Sequence, residues 1–189
     1  SDFKIFLPFF EELIKLRIEE ANQISDKYTP WETLAQPFEP DLTLKWLNNI
    51  FLPLKEIIPS LLCDLNKSEK YRWDLSPKSQ QNLCSKLLDE FGRDEDLVVV
   101  AKSPHPFSIT LGPEDYRITT RIVEGEPFSS FLATAHEWGH SIYEQGLPSQ
   151  SHQWFAWPLG QATSMGVHES QSLFWENRIV KSKSFSKRF

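Results

Sequence analysis

His136 and His140 stand four residues apart in Ala135-His136-Glu137-Trp138-Gly139-His140, with Glu137 next to the first of them. On a helix, positions four apart stack on one face. The two imidazoles can therefore grip one metal ion while Glu137, one position round, reaches a water held at that ion. This H-E-x-x-H pattern is the core of a zinc peptidase site, and its bland alternative is two surface histidines on an amphipathic helix. Ala135 and Ile142 beside them point to burial, where two close histidines need a reason.

An open catalytic zinc site takes three protein ligands and keeps a fourth position for water. Glu169, on the next expected helix, is the best third ligand, because a loop can return it to the first helix and His-His-Glu is an established open set. Glu144 competes from the same helix as His140. Successive stacked positions on one helix run nearly in line while tetrahedral ligands converge, which makes Glu144 a supporting or solvent-facing group. Glu176 and Glu124 have no comparable claim as ligands. In this chemistry zinc polarises the scissile carbonyl and lowers the pKa of its water, and Glu137 takes the water proton and passes it to the leaving amine. His105 or His168 could steady the charge on the carbonyl oxygen, or each could be a core histidine with a satisfied hydrogen bond.

The elements that must position these groups are legible in the hydrophobic pattern. Pro127 opens the helix that carries H-E-x-x-H; Phe128, Phe131, Leu132, Ala135 and Ile142 anchor it, and Gly146 closes it before Pro148. Residues 162–179 form the helix bearing His168 and Glu169. Between 150 and 160 lies an aromatic loop with Trp154, Phe155 and Trp157. Asp115 to Val123 alternates, with Tyr116, Ile118, Thr120 and Ile122 on one side and Asp115, Arg117 and Thr119 on the other, which is a strand. Leu97 to Val100 is short and β-branched, a second strand.

Upstream, Phe3 to Ser25 has helical spacing with Pro8 in its first turn, and Tyr28 to Pro40 reads as an irregular loop. A further helix runs from Asp41, as its cap, to Leu65, with kinks or breaks at Pro53 and Pro59. Ser76-Pro77 begins another, which Gly92 ends and whose buried face is Leu83, Leu87, Leu88 and Phe91. The fold class is mainly α with a small β-sheet at the active-site cleft, a zincin-like core, and residues 1–189 form a single domain without internal repeats.

The chain of 189 residues has 40% hydrophobic and 13% aromatic content, enough for a substantial core. Its formal net charge of −6 argues against nucleic acid or an anionic membrane as the main partner. The basic run from Lys181 to Arg188 reads as solvated surface. No apolar run approaches the ~20 residues that span a bilayer. Cys63 and Cys84 are too few for a disulfide framework and lie in apolar helical patterns, so they read as buried free thiols of a cytoplasmic protein.

Four stretches together resemble one family. His105-Pro106-Phe107, Asp115-Tyr116-Arg117-Ile118-Thr119, His136-Glu137-Trp138-Gly139-His140 and His168-Glu169-Ser170-Gln171 occur in the order and spacing of the thermostable, Taq-type metallocarboxypeptidases. The likeness extends through Tyr143-Glu144-Gln145-Gly146 and Trp175-Glu176-Asn177 and, more weakly, to the N-terminal helix. It implies a metal-dependent enzyme that removes C-terminal residues from peptides, with His136, His140 and Glu169 as ligands of zinc, or of cobalt, and Glu137 as general base. It also implies substrate or supporting roles for His105, Asp115, Arg117, Thr119 and His168. Arg117 would hold the peptide's terminal carboxylate with its forked donors, or order the site with Asp115.

Two flanks depart from the family pattern, Ala101-Lys102-Ser103-Pro104 before His105 and Lys181-Ser182-Lys183 after Asn177. The resemblance reaches only the middle of much longer chains, so helices before Ser1 and a C-terminal lobe are expected to be absent. That makes the core incomplete, and it predicts a homodimer or association with the remainder of the protein. The alternative function is a catalytically incompetent fragment or split-gene product that binds metal or a partner chain. An endopeptidase on the same motif fits less well, because Arg117 suits a free carboxylate.

Overall fold

The computed structural model describes residues 2–65, 74–148, 151, 153–155 and 157–189. The chain divides into two compact units, Ser1–Ser68 and Glu69–Phe189.

The first unit is helical. Helix α1 spans Phe3–Ile24, capped by the Asp2 carboxylate on the Lys4 amide, and Pro8 lies in its second turn, beyond the first turn expected for it. The stretch read as an irregular loop contains a short helix, α2, Pro30–Ala35. Its start is a capping box: Thr29 Oγ1 accepts from the Glu32 amide and the Glu32 carboxylate accepts from the Thr29 amide, with proline at the first helical position. The prolines of this stretch therefore open a helix instead of preventing one. Glu32 also accepts from the Leu44 amide, which links α2 to the start of α3, Leu44–Asp64. The cap of α3 is Thr43, not Asp41, whose φ of 62° is left-handed. Pro53 and Pro59 lie inside α3 without ending it. Only Ala21 and Thr33 are buried among the described residues of this unit, and Phe3, Phe9, Phe51 and Leu62 are exposed. Cys63 is exposed too, contrary to the expectation of a buried thiol, because the apolar face on which it lies is uncovered here.

The second unit carries the four motifs named above on a three-stranded sheet and four α-helices. Helix α4, Pro77–Glu90, begins at Ser76, whose hydroxyl accepts from the Ser79 amide, and is followed by Gly92 at φ 81°, the left-handed conformation that glycine adopts without steric cost. Strands β1 (Val98–Lys102), β2 (Phe107–Gly112) and β3 (Asp115–Thr120) lie in the order β1-β3-β2. β1 runs parallel to β3 with Val98 opposite Tyr116, and β2 runs antiparallel to it with Ile109 opposite Arg117. β3 ends at Thr120, three residues before the expected boundary. β2 escaped the reading because its apolar residues Phe107, Ile109 and Leu111 are the exposed set, so its alternation does not mark a core face.

Helix α5, Pro127–Gln145, packs on the sheet, and after it come a 3-10 turn at Pro158–Gly160 and helix α6, Met165–Leu173, capped by Ser164. The expected aromatic loop falls partly outside the described residues; within it Trp154 and Trp157 meet edge to face at 5.8 Å. α6 continues as a π-helical segment, Phe174–Val180, before helix α7, Lys183–Arg188. The core joins Leu88 of α4, Val98 of β1, Tyr116 and Ile118 of β3, and Trp138 of α5. Phe91 and Trp175 close around it, with ring centroids 4.7 Å apart.

A polar network holds the first half of α5. Gln80 is wholly buried; its amide donates to the carbonyls of Leu75 and Val123, and its oxygen accepts from Ser130 Oγ at 3.0 Å. Thr134 Oγ1 donates to the Ser130 carbonyl and pairs with Thr120 Oγ1 at 3.1 Å. Every partner is satisfied within the protein, so the network fixes α5 against α4 and β3 without a desolvation penalty.

Candidate metal centre

The second half of α5 presents His136 and His140 one turn apart, with ring centroids 4.9 Å apart and planes at 83°. Trp138, between them in sequence, points into the core and is 1% exposed. α6 approaches α5 at Gly139. A Cβ placed on Gly139 would stand 2.5 Å from Ser172 Cα and 2.8 Å from the Gln171 carbonyl oxygen, so no other residue fits without parting the helices. That approach brings Glu169 over both imidazoles.

Glu169 Oε1 lies 3.6 Å from His136 Nε2, and Glu169 Oε2 lies 3.4 Å from His140 Nε2. A tetrahedral ion with bonds of ~2.0–2.1 Å has donor atoms about 3.3–3.4 Å apart along each edge of the tetrahedron. The three side chains offer ligand atoms all within 4.8 Å of one another. The donor set thus fits a zinc-sized cation, and its two nitrogens and a carboxylate suit zinc or cobalt.

The two histidines are supported differently. His136 Nδ1 meets Glu176 Oε2 at 3.1 Å, and because a carboxylate only accepts, the contact places a proton on Nδ1, as in the tautomer that binds a metal through Nε2. Burial alone would raise the Glu176 pKa, but hydrogen bonds from Lys181 and His136 outweigh it and hold the carboxyl below its ordinary value. His140 Nδ1 is buried with no hydrogen-bond partner; the backbone of His168 favours its proton without completing a hydrogen bond. Burial first, and then the neighbouring His168 and His136, push the His140 pKa down to about 4, so the ring is neutral, the form that binds metal.

Glu137 is 7% exposed. Burial raises its carboxyl to about 7, with Glu169 adding to the rise and His136 and His168 opposing it. A carboxyl poised near neutrality has the affinity for protons that a general base needs.

Asp115, Arg117, Thr119 and His105 form a second group, on the sheet. Arg117 Nε and Nη2 donate to the two oxygens of Asp115 at 2.9 and 3.0 Å, a fork matched to a fork on an exposed face. Thr119 Oγ1 accepts from the Phe107 amide at 3.0 Å and lies 3.4 Å from the His105 carbonyl oxygen, which pins the His-Pro-Phe segment to β3. The His105 ring is exposed. No hydrogen bond or ion pair joins this group to the His-His-Glu cluster among the described residues. His168, by contrast, belongs to the cluster: its ring stacks on His140, and its Nε2 meets Glu144 Oε1 at 2.7 Å.

Sequence reasoning passed over Glu176, which it weighed only as a ligand. The residue lies two turns beyond Glu169 on a continuous helical run, so it shares the face that looks at α5; the π segment, with its wider turn, places Trp175 in the core beside it.

A mainly helical core in which a helix-borne H-E-x-x-H is completed by a glutamate from the following helix is that of a metallopeptidase. The chain belongs to the carboxypeptidase Taq (M32) metallopeptidase family, whose pattern matches residues 1–189. It is 36% identical over 191 residues to carboxypeptidase 1 of Bacillus subtilis (strain 168), covering 98% of this chain and 38% of that one. It is 35% identical over 205 residues to thermostable carboxypeptidase 1 of Thermus thermophilus, covering 100% of this chain and 39% of that one. Among solved structures, the M32 carboxypeptidase from Deinococcus radiodurans R1 superposes with a TM-score of 0.80 at 27% identity, over 97% of this chain and 37% of that one. Trypanosoma cruzi metallocarboxypeptidase 1 superposes with a TM-score of 0.76 at 34% identity, over 96% and 38%. The chain therefore spans less than two fifths of the length of the relatives it matches.

Proposed function

We propose that the protein is a metal-dependent carboxypeptidase that removes C-terminal residues from peptides, with zinc, or cobalt, held by His136, His140 and Glu169. The observation that carries this reading is the approach of the Glu169 carboxylate to both imidazoles, at 3.6 Å from His136 Nε2 and 3.4 Å from His140 Nε2, beside a buried carboxyl poised near 7. When bound, the ion supplies a Lewis acid for the scissile carbonyl and acidifies a water. Glu137 accepts the proton of that water and delivers it to the departing amine. Glu176 keeps His136 in the tautomer that binds. Arg117, aligned by Asp115, offers guanidinium donors to a peptide carboxylate, and Thr119 holds the His105 segment at the edge of the same sheet.

Elemental analysis should find about one zinc or cobalt per chain, and Glu169→Ala should release it. Full metal retention in that variant would sink the ligand assignment. Release of single C-terminal residues from a peptide, blocked by C-terminal amidation, tests the exopeptidase class; cleavage of an amidated peptide at internal bonds would show an endopeptidase instead. The two unpaired cysteines support a reducing, cytoplasmic setting. No helix among the described residues is long and apolar enough to cross a membrane.

A second reading, a metal- or partner-binding chain without turnover, is favoured by the exposed apolar residues of α1 and α3, Phe3, Phe9, Phe51 and Leu62 among them. It predicts self-association, or activity only once the rest of a full-length relative is supplied. A compact monomer in size-exclusion chromatography that turns over peptide alone would overturn it.

A further inference from the structure

The two histidines of the proposed metal centre are oriented by unlike means: a side-chain carboxylate holds His136, and no side chain hydrogen-bonds His140 Nδ1. His136 is held through Nδ1 by Glu176, with Lys181 behind that carboxylate at 3.0 Å. His140 Nδ1 is buried, with the His168 backbone near it but no completed hydrogen bond. An imidazole without that hydrogen bond has a broad preference about its outer torsion, and rotation there carries Nε2 away from its place opposite Glu169. Something else must hold the ring.

We propose that His168 and Glu144 form a paired positioning device for His140: Glu144 clamps the His168 ring, and the face of His168 clamps the ring of His140. The ring centroids of His140 and His168 are 4.6 Å apart with planes at 26°, within the range of offset stacking. His168 is itself immobilised, since Nε2 meets Glu144 Oε1 at 2.7 Å and the Tyr143 ring meets it nearly perpendicular at 5.4 Å. Glu144 lies one turn beyond His140 on α5, so the device runs from α5 to α6 and back. His168 directly precedes Glu169. Fixing its ring to α5 therefore also fixes the approach of the third donor, and one pair sets two of the three ligands. His168 and Glu144 are positioning residues in this account, and neither touches the substrate.

The inference rests on the metal-centre reading, and the two fail differently. Zinc affinity is measured by competition with a chromophoric chelator, and the visible spectrum of the cobalt-substituted protein reports ligand geometry. Wild type is compared with H140A, H168A, E144A, H168A/E144A and H168F/E144Q, each checked by circular dichroism and thermal melting. His168→Ala should weaken zinc by about 10–100-fold and shift the cobalt bands. Glu144→Ala should weaken it less, and the H168A/E144A double variant should match H168A, because both changes remove one device. H168F/E144Q keeps a flat ring over His140 and removes the carboxylate that would otherwise be left unpaired. It should retain near wild-type affinity and spectrum.

If H168F/E144Q binds zinc as weakly as H168A, stacking is not what orients His140 and the inference is overturned. The same holds if H168A binds as tightly as wild type with an unchanged spectrum. If H168A does not fold, H168F/E144Q against wild type decides. A wild-type protein that binds zinc no better than H140A overturns the metal centre itself.

Discussion

Gly139 and Ser172 hold α5 and α6 at backbone contact, with the Cα of Ser172 2.5 Å from where a Cβ of residue 139 would be. Ser172 is fully buried and its hydroxyl donates to the Glu169 carbonyl at 2.7 Å. The spacing that lets one carboxylate reach two imidazoles is therefore set by the glycine inside H-E-x-x-H.

Replacing Gly139 with alanine should part α5 from α6 and take Glu169 away from His136 and His140. Because the obstructing atoms are backbone, no rotamer change relieves the clash. Overpacking of this kind costs roughly 1–3 kcal/mol. Thermal denaturation should show that loss, and chelator competition should show a drop in metal affinity greater than that of an alanine substitution on the exposed side of α6, such as Ser170→Ala.

Glu176 should act on the metal through His136 alone. Glu176→Gln removes the charge behind the His136 Nδ1–H and the ion pair with Lys181, which keeps its hydrogen bond to Asn177, and it should weaken zinc by about 10–100-fold while leaving the fold intact. Equal affinity in the variant and the wild type would show that His136 is oriented by packing.

In the metal-free protein, Glu137 and His140 should give opposing pH dependences. The Glu137 carboxyl sits at about 7 against an ordinary 4.5, so the unfolded chain loses this proton first, and stability falls as pH rises from about 4.5 to 7. His140 sits at about 4 against an ordinary 6.5, so the unfolded chain gains this proton first, and stability rises with pH from about 4 to 6.5. Each effect is on the order of 3 kcal/mol, and they nearly cancel between pH 4.5 and 6.5. Glu137→Gln should expose the His140 slope, so that the variant gains stability over wild type with rising pH and the gain levels off above pH 7. Urea melts across this range in the presence of a chelator check it. With metal restored, the same variant should bind zinc and lose turnover by about 10²–10⁴-fold.

The two cysteines should differ in reactivity. Cys84 is buried, and burial raises its thiol pKa against the lowering effect of hydrogen bonds with Thr134 and Ser130. Cys63 is exposed. A neutral-pH alkylating reagent followed by peptide mapping should label Cys63 within minutes and Cys84 only on unfolding. Protection of Cys63 in the native protein would mean that the apolar face of α3 is covered in solution.

Much of this arrangement was legible in local pattern. The ends of α4 and α5 are marked by Ser76-Pro77, Gly92, Pro127 and Gly146, residues whose backbone preferences act where they stand. The burial of Tyr116, Ile118 and Thr120 follows from their alternation along β3, whereas Thr119, on the face expected to be polar, is buried as well. Where the reading failed, a local signal was outweighed or misread. Prolines 30, 37 and 40 suggested a loop, although Thr29 and Glu32 spelled a capping box. Exposed Phe107, Ile109 and Leu111 hid β2, and Asp41 drew attention from the true cap at Thr43.

The sequence by itself determined which side chains could do chemistry, because H-E-x-x-H presents two imidazoles and a carboxylate through the period of one helix and needs no distant partner to do so. Only the tertiary structure decided how they are held. That Glu176 backs His136, that His168 stacks on His140, and that Gly139 lets α6 come close enough for Glu169 to reach both are relations between separate helices. Such distances depend on how side chains pack across the gap, and no periodicity along one chain segment records them.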